Sequence, residues 1–296
     1  MLAAWNIQSD RVPRACSNDE QAQALLWNTV VRGNDFDTRF RTQLEQPRQL
    51  HASKQRIRAA RLARSIATQG SIMTTALFFD TETTSLPLWH EPSEAPQQPH
   101  IVQIAAGLVD IETRSMVAGI DLIVAPDGWT IPDDVVRVHG ISTEIAQRYG
   151  VAELVALNTF LDLWSCADFR VAHNEPFVSR IVRIALKRFI GDDLPEGAPA
   201  PIADVWSKAP AQCTARLATP ICAIPPTDAM RAARRFHHKT PNLAEAYRHF
   251  FNRDPERQHS AAADMTACMQ IWFAIQDLQR DRGTAANDAG VAPSAA

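Results

Sequence analysis

No stretch of this chain approaches the roughly 18 consecutive apolar residues that a membrane-crossing helix needs. The opening residues also lack the basic-then-apolar order of a secretory signal. Cysteine is scarce and carries no pattern. Cys16, Cys166, Cys213, Cys222 and Cys268 form no C-x-x-C pair, and an odd number speaks against a disulfide framework. Reduced thiols in a cytoplasmic protein are therefore expected, with no membrane involvement. There is no internal repeat. A net positive charge is missing too: the formal charge is -3, so the chain as a whole has no electrostatic footprint of a nucleic-acid binder.

What is present is ordinary for a globular protein, 46% hydrophobic and 21% charged, in a chain long enough to bury a substantial core. The charge is spread unevenly. Residues 1–72 hold eleven Lys and Arg against six Asp and Glu, while the remainder has nineteen against twenty-seven. An acidic body suits an enzyme in which bound cations turn a carboxylate cluster into a phosphate site better than it suits a simple nucleic-acid binder.

Three regions separate by texture. Residues 1–72 are a basic extension of unknown function, helical around 54–67 (Arg56, Arg58, Arg61, Arg64) or disordered. Met73 stands directly before an apolar strand pattern, a place where translation could begin, so the extension need not be made. Mass spectrometry of the native N-terminus decides that point. Residues 73–282 read as one α/β domain, and 283–296 as a small, polar, disordered tail. Strands are expected at 75–80, 101–111, 116–124 and 169–173, and a Pro-rich irregular loop at 87–99. Helices are expected at 142–149, 152–165, 176–189, 243–251 and 260–280. Strands first, then helices with one further strand, argue a mixed sheet covered by helices. Trp164, Trp206 and Trp272 read as core.

Chemistry concentrates at three places. In Phe78-Phe79-Asp80-Thr81-Glu82-Thr83-Thr84 an apolar run ends in D-x-E, and strand alternation puts Asp80 and Glu82 on one face, where two carboxylates can hold a hard divalent cation. In His259-Ser260-Ala261-Ala262-Ala263-Asp264 a five-residue step is about 140° out on a helix, so His259 and Asp264 share a site only if His259 precedes the first turn; Ser260 is a fitting N-cap. The third, His173-Asn174-Glu175-Pro176-Phe177-Val178, runs from a strand into a helix and says little alone.

Together these segments resemble the DEDD superfamily of 3′–5′ exonucleases, in particular the His-bearing branch that includes the proofreading epsilon subunit of bacterial DNA polymerase III. Val138-His139-Gly140-Ile141-Ser142 looks like that family's H-G-I-[ST] segment, and residues 213–227 and 235–247 look like phage and prophage exonucleases. The resemblance covers residues 75–275 and implies a ribonuclease H-like sheet flanked by helices, with Mg²⁺ or Mn²⁺ in a two-metal site. It implies Asp80, Glu82 and Asp264 as metal ligands and His259 as general base. It also implies Thr83, His139, Asn174 and Phe177 at the terminal nucleotide. His237, His238 and Lys239, with Arg234 and Arg235, are candidates for the preceding phosphates.

One departure matters. The family's usual fourth acid falls at Val178, which cannot bind a cation; Glu175, three residues earlier, is the candidate to replace it. The expected function is release of nucleoside 5′-monophosphates from DNA 3′ ends, with single-stranded DNA as partner and a polymerase as a further one, as in replication and proofreading. Activity is reduced if nothing replaces the acid. Two alternatives keep the fold: an inactive module that binds DNA ends or a polymerase, and a 3′–5′ exoribonuclease.

Overall fold

The computed structural model describes residues 74–190 and 201–289. The chain divides into Met1–Gln69 and Gly70–Ala296, and everything described lies in the second unit. The helix expected at 54–67 and the position of Met73 lie outside the described residues.

Six strands form one sheet in the order β4-β3-β2-β1-β5-β6: β1 (Thr75–Thr83), β2 (Ile101–Asp110), β3 (Ser115–Ala125), β4 (Val151–Ala152), β5 (Phe169–Ala172) and β6 (Ala211–Cys213). β1, β2 and β3 pair antiparallel, whereas β5 and β6 run parallel to β1, so the sheet is mixed. Nine helices cover it among the described residues: α1 (Asp133–His139), α2 (Thr143–Tyr149), α3 (Glu153–Ser165), α4 (Glu175–Ile190), α5 (Ile202–Lys208), α6 (Thr214–Cys222), α7 (Asp228–Ala232), α8 (Leu243–Phe251) and α9 (Ala261–Ala289). None is long and apolar enough to cross a membrane.

β1 is apolar on both faces because both are covered. Leu77 and Phe79 pack with Phe160 of α3, Val178 and Ile181 of α4 and Trp206 of α5. Ala76 and Phe78 face α9, where Met265, Cys268 and Trp272 close the second layer. Trp206 and Trp272 are buried and Trp164 is packed against the first layer, as expected.

The long elements fall where the periodicity put them. α1, α5, α6 and α7 and the two short strands β4 and β6 were not expected. α1 did carry a readable signature: Asp133 and Asp134 in its first turn, Arg137 and His139 in its last, and Gly140 behind it at φ 76. α9 runs past Arg282 to Ala289, into the segment expected as a tail. The Pro-rich loop is more ordered than an irregular bridge. The buried Gln98 amide accepts from Leu88 N–H and donates to the carbonyls of Leu88, Glu91 and Pro92, and Arg188 of α4 donates to the Gln98 carbonyl.

Candidate metal centre

The site lies where β1 ends. Asp80 and Glu82 share the face of Ala76 and Phe78, and the register slips between Glu82 and Thr83, which releases the chain into the loop. α9 crosses that face and brings Asp264 from its first turn. One oxygen from each of Asp80, Glu82 and Asp264 lies within 4.8 Å of the others, and all three residues are half-buried. The convergence of these acids is the arrangement that alternation and helix-start logic required.

Three carboxylates so close, partly out of water, resist ionisation. Burial pushes the Asp80 carboxyl well above its usual range, and the charges of Glu82 and Asp264 push it further; the Thr81 N–H opposes them. Glu82 is raised to about 7 by burial and by Asp264. Asp264 is raised by burial, against the pull of the His259 backbone N–H and ring. Asp264 Oδ1 is buried and accepts no hydrogen bond. An orphaned acceptor inside a group of mutually repelling carboxylates fits a hard divalent cation with oxygen ligands.

His259 stands before the helix, as its spacing demanded. The Ser260 carbonyl accepts the Asp264 N–H at 2.9 Å, so Ser260 occupies the cap position. His259 is exposed and holds φ 66, a strained conformation for a residue with a Cβ. That backbone turn aims its N–H at Asp264 Oδ2, 3.0 Å away, and leaves the ring free. His139 approaches from the end of α1. Its Nδ1 accepts the Ile141 N–H at 3.1 Å, so in the neutral ring the proton sits on Nε2, which is buried without a partner. Burial lowers the His139 pKa, and the charge of His259 lowers it further.

The remaining expected residues divide. Thr83 lies at the site's edge, its hydroxyl donating to the Ser85 carbonyl. Asn174 is exposed at φ 55, and its carbonyl accepts the Phe177 N–H as α4 begins. Phe177 is half-buried against the first core layer. Val178 is 2% exposed and belongs to that same layer, so the place expected for a fourth acid has been absorbed into the core. Glu175 does not replace it. Its carboxylate is bound to Arg170, which is itself buried, lies over the Trp206 ring and donates to the Trp206 carbonyl and the Ser179 hydroxyl. Among the described residues, the three acids are the whole cation cluster.

Sequence reasoning missed Gln103 and Asp121. Gln103 sits on β2 opposite Glu82 and is buried. Its Oε1 accepts the N–H of Ala261, the first residue of α9, and its amide donates to Asp121 on β3 at 2.7 Å. It thus ties the helix that carries Asp264 to the strand beside Glu82. The one available signal was a lone polar residue inside an otherwise apolar β2.

A family model described as exonuclease, of the RNase T type, matches residues 77–272. No curated protein matches the chain. Among solved structures, E. coli exonuclease I bound to single-stranded DNA in a zinc-ion form aligns at 16% identity and TM-score 0.51, over 71% of this chain and 42% of that one. E. coli exonuclease I with a dT13 oligonucleotide aligns at 17% and 0.53, over 71% and 43%. A product-bound exonuclease I aligns at 17% and 0.51, over 70% and 44%. The chain spans less than half the length of these proteins, and the likeness at such identity is one of fold, the ribonuclease H-like sheet flanked by helices.

Proposed function

The chain belongs to the RNase T-type exonuclease family of the DEDD superfamily, and from that premise we propose that it is a metal-dependent 3′–5′ exonuclease that releases nucleoside 5′-monophosphates from DNA ends. The observation that carries this reading is the gathering of Asp80, Glu82 and Asp264 around one point, with His259 at its mouth. Those three carboxylates would hold Mg²⁺ or Mn²⁺, which when bound supplies Lewis-acid stabilisation of charge on the scissile phosphate.

The chain's own groups do the rest. The exposed His259 ring takes a proton from the attacking water, a role worth on the order of 10²- to 10⁴-fold. Water oxygen bonds to phosphorus, the bond from phosphorus to the 3′ oxygen of the preceding nucleotide breaks, and that oxygen gains a proton. His139 offers its unpartnered Nε2–H to the terminal nucleotide. Thr83 and Asn174 border the nucleotide through backbone and side chain, and the free edge of Phe177 meets its sugar or base.

Among the described residues no fourth acid joins the three that would hold a cation. Val178 is in the core and Glu175 is bound to Arg170, so the reading includes a rate below that of a four-acid site. The same observation favours a second reading, a module that grips DNA ends without cutting them. End-labelled single-stranded DNA and RNA, incubated with Mg²⁺ or Mn²⁺, separate the possibilities. DNA shortened from its 3′ end, with no shortening by Asp80→Asn, is the expected result; Val178→Asp should unfold more readily rather than cut faster, since it sets an unpaired carboxylate in the core. Binding without cleavage of either strand supports the module, and cleavage of RNA alone makes the protein a ribonuclease.

A further inference from the structure

Residues 231–240, from the end of α7 toward α8, form an arm that the site chemistry does not use. Residues 231–238 are all exposed, and Phe236 is 72% exposed. Four cations (Arg231, Arg234, Arg235 and Lys239) stand in this stretch without a single acid, although the chain beyond residue 72 is acidic overall. Two of them are spent on the arm's own base. Arg231 binds Asp228 and the Pro226 carbonyl, and Lys239 binds Glu245. The side chains of Arg234 and Arg235 have no partner among the described residues. By contrast, Arg248 and Arg253 nearby in sequence are paired with Asp254 and Glu256.

The arm is a built feature. The Lys239 N–H donates to the Ile224 carbonyl at 2.9 Å and closes its base, while the Arg235 N–H donates to the Met230 carbonyl at 2.8 Å. The Thr227 hydroxyl caps α7 by accepting the Met230 N–H. Arg234 sits at φ 55, a left-handed turn two residues before Phe236. The far end is anchored close to the metal centre. His173 donates through Nε2 to the Pro241 carbonyl at 3.1 Å, and its Nδ1 accepts from the Thr214 hydroxyl at 2.9 Å. The same Thr214 hydroxyl meets Cys268 Sγ at 3.4 Å, one helical turn after Asp264 on α9.

We infer that this arm is a docking site for single-stranded nucleic acid, taking the strand just upstream of the end held at the carboxylates; the inference rests on the nuclease reading for its direction. Arg234 and Arg235 meet phosphates through their planar forks. Phe236 offers an aromatic face on which one unpaired base stacks, an interaction that tolerates any base and excludes a duplex, whose bases already stack on each other. The occupant is a polyanion rather than a protein, because the arm pairs unspent positive charge with a single flat ring rather than with an apolar patch.

The test is binding of dT12 and of the dinucleotide dT2 to the whole chain, with Ca²⁺ in place of Mg²⁺ to keep the strand uncut. Arg234→Ala combined with Arg235→Ala should raise the dT12 Kd about tenfold and reduce the salt dependence by about 1.4 in log–log slope, two phosphates at roughly 0.7 each. Phe236→Ala should also raise it about tenfold with the slope unchanged, and Phe236→Trp should restore it. None of these should alter dT2, which is too short to reach the arm. Unchanged dT12 binding in the arm variants, equal losses for dT2 and dT12, or no dT12 binding by the native chain overturns the proposal; the first outcome leaves the arm to a protein partner. Cleavage with Mg²⁺ is scored separately. Arm-dependent binding without cleavage refutes the nuclease reading alone, and cleavage with arm-independent binding refutes the arm alone.

Discussion

Two neighbouring ends of the sheet treat their acids in opposite ways. Where β1 meets α9, Asp80, Glu82 and Asp264 repel one another with no lysine or arginine among the described residues to balance them. One strand away, where β5 turns into α4, Glu175 is held by Arg170 beneath Trp206, and Val178 fills the next turn with hydrocarbon. A cluster that would be relieved by an added cation is kept at a cost to the empty protein, and such perturbed groups mark functional sites. A corner whose charges cancel internally serves the fold. The contrast predicts that a divalent cation would stabilise one corner and leave the other unchanged.

The largest expected effect lies on the balanced side. Arg170→Met removes one partner of a buried pair, takes one of two donors from the Trp206 carbonyl and removes the guanidinium donor to the Ala209 carbonyl. Breaking such a pair costs about 3–5 kcal/mol. Urea unfolding should register that loss equally with and without Mn²⁺. A cost below about 1 kcal/mol would mean that the corner is not the structural anchor it is taken for.

The unbalanced side should respond to pH in the metal-free protein. Glu82 has a folded pKa of about 7 against an ordinary 4.5, so its protonated form is favoured by folding. Its contribution is therefore complete below pH 4.5 and is lost as pH rises through about 7. The shift amounts to about 3 kcal/mol at most. Thermal melting in EDTA should show stability falling across that window, and saturating Mn²⁺ should flatten the fall. Asp80→Asn should raise the EDTA melting temperature and abolish the rise that Mn²⁺ gives the native chain. A profile that ignores Mn²⁺ would erase the distinction between the two corners.

Much of this contrast was readable from residue order, and the reason is locality. Asp80 and Glu82 share a face because strands alternate, and His259 meets Asp264 only from outside a helix, so each pair carries its own geometry. The long amphipathic elements were legible on the same ground. What pairs across the sheet was not. Nothing local says that Glu175 points to Arg170 rather than toward Asp80, since the choice is made by the Trp206 ring brought in from α5. Val178 looked like a missing ligand, and its seat among Leu77, Phe79 and Ile181 becomes visible only once β1 and α4 are packed.

Gln103 offers the finest probe, because it belongs to both the fold and the site. Gln103→Met keeps the bulk on β2 while deleting the acceptor for Ala261 N–H and the donor to Asp121. Two hydrogen bonds of this kind are worth about 1–3 kcal/mol together. If Gln103 were only a packing residue, the stability loss would appear alone and metal affinity would be untouched. If it positions α9, Asp264 drifts from Asp80 and Glu82, and the Mn²⁺ Kd measured calorimetrically should rise severalfold at a temperature where the variant is fully folded. Gln103→Glu retains the acceptor but sets a second carboxylate against Asp121, so it should weaken folding. Adding Asp121→Asn to that variant restores a donor facing the new acid, and Mn²⁺ affinity should recover with it. Failure of the double variant to regain metal binding, with the fold intact, would show that the sheet aligns Asp264 by some other contact.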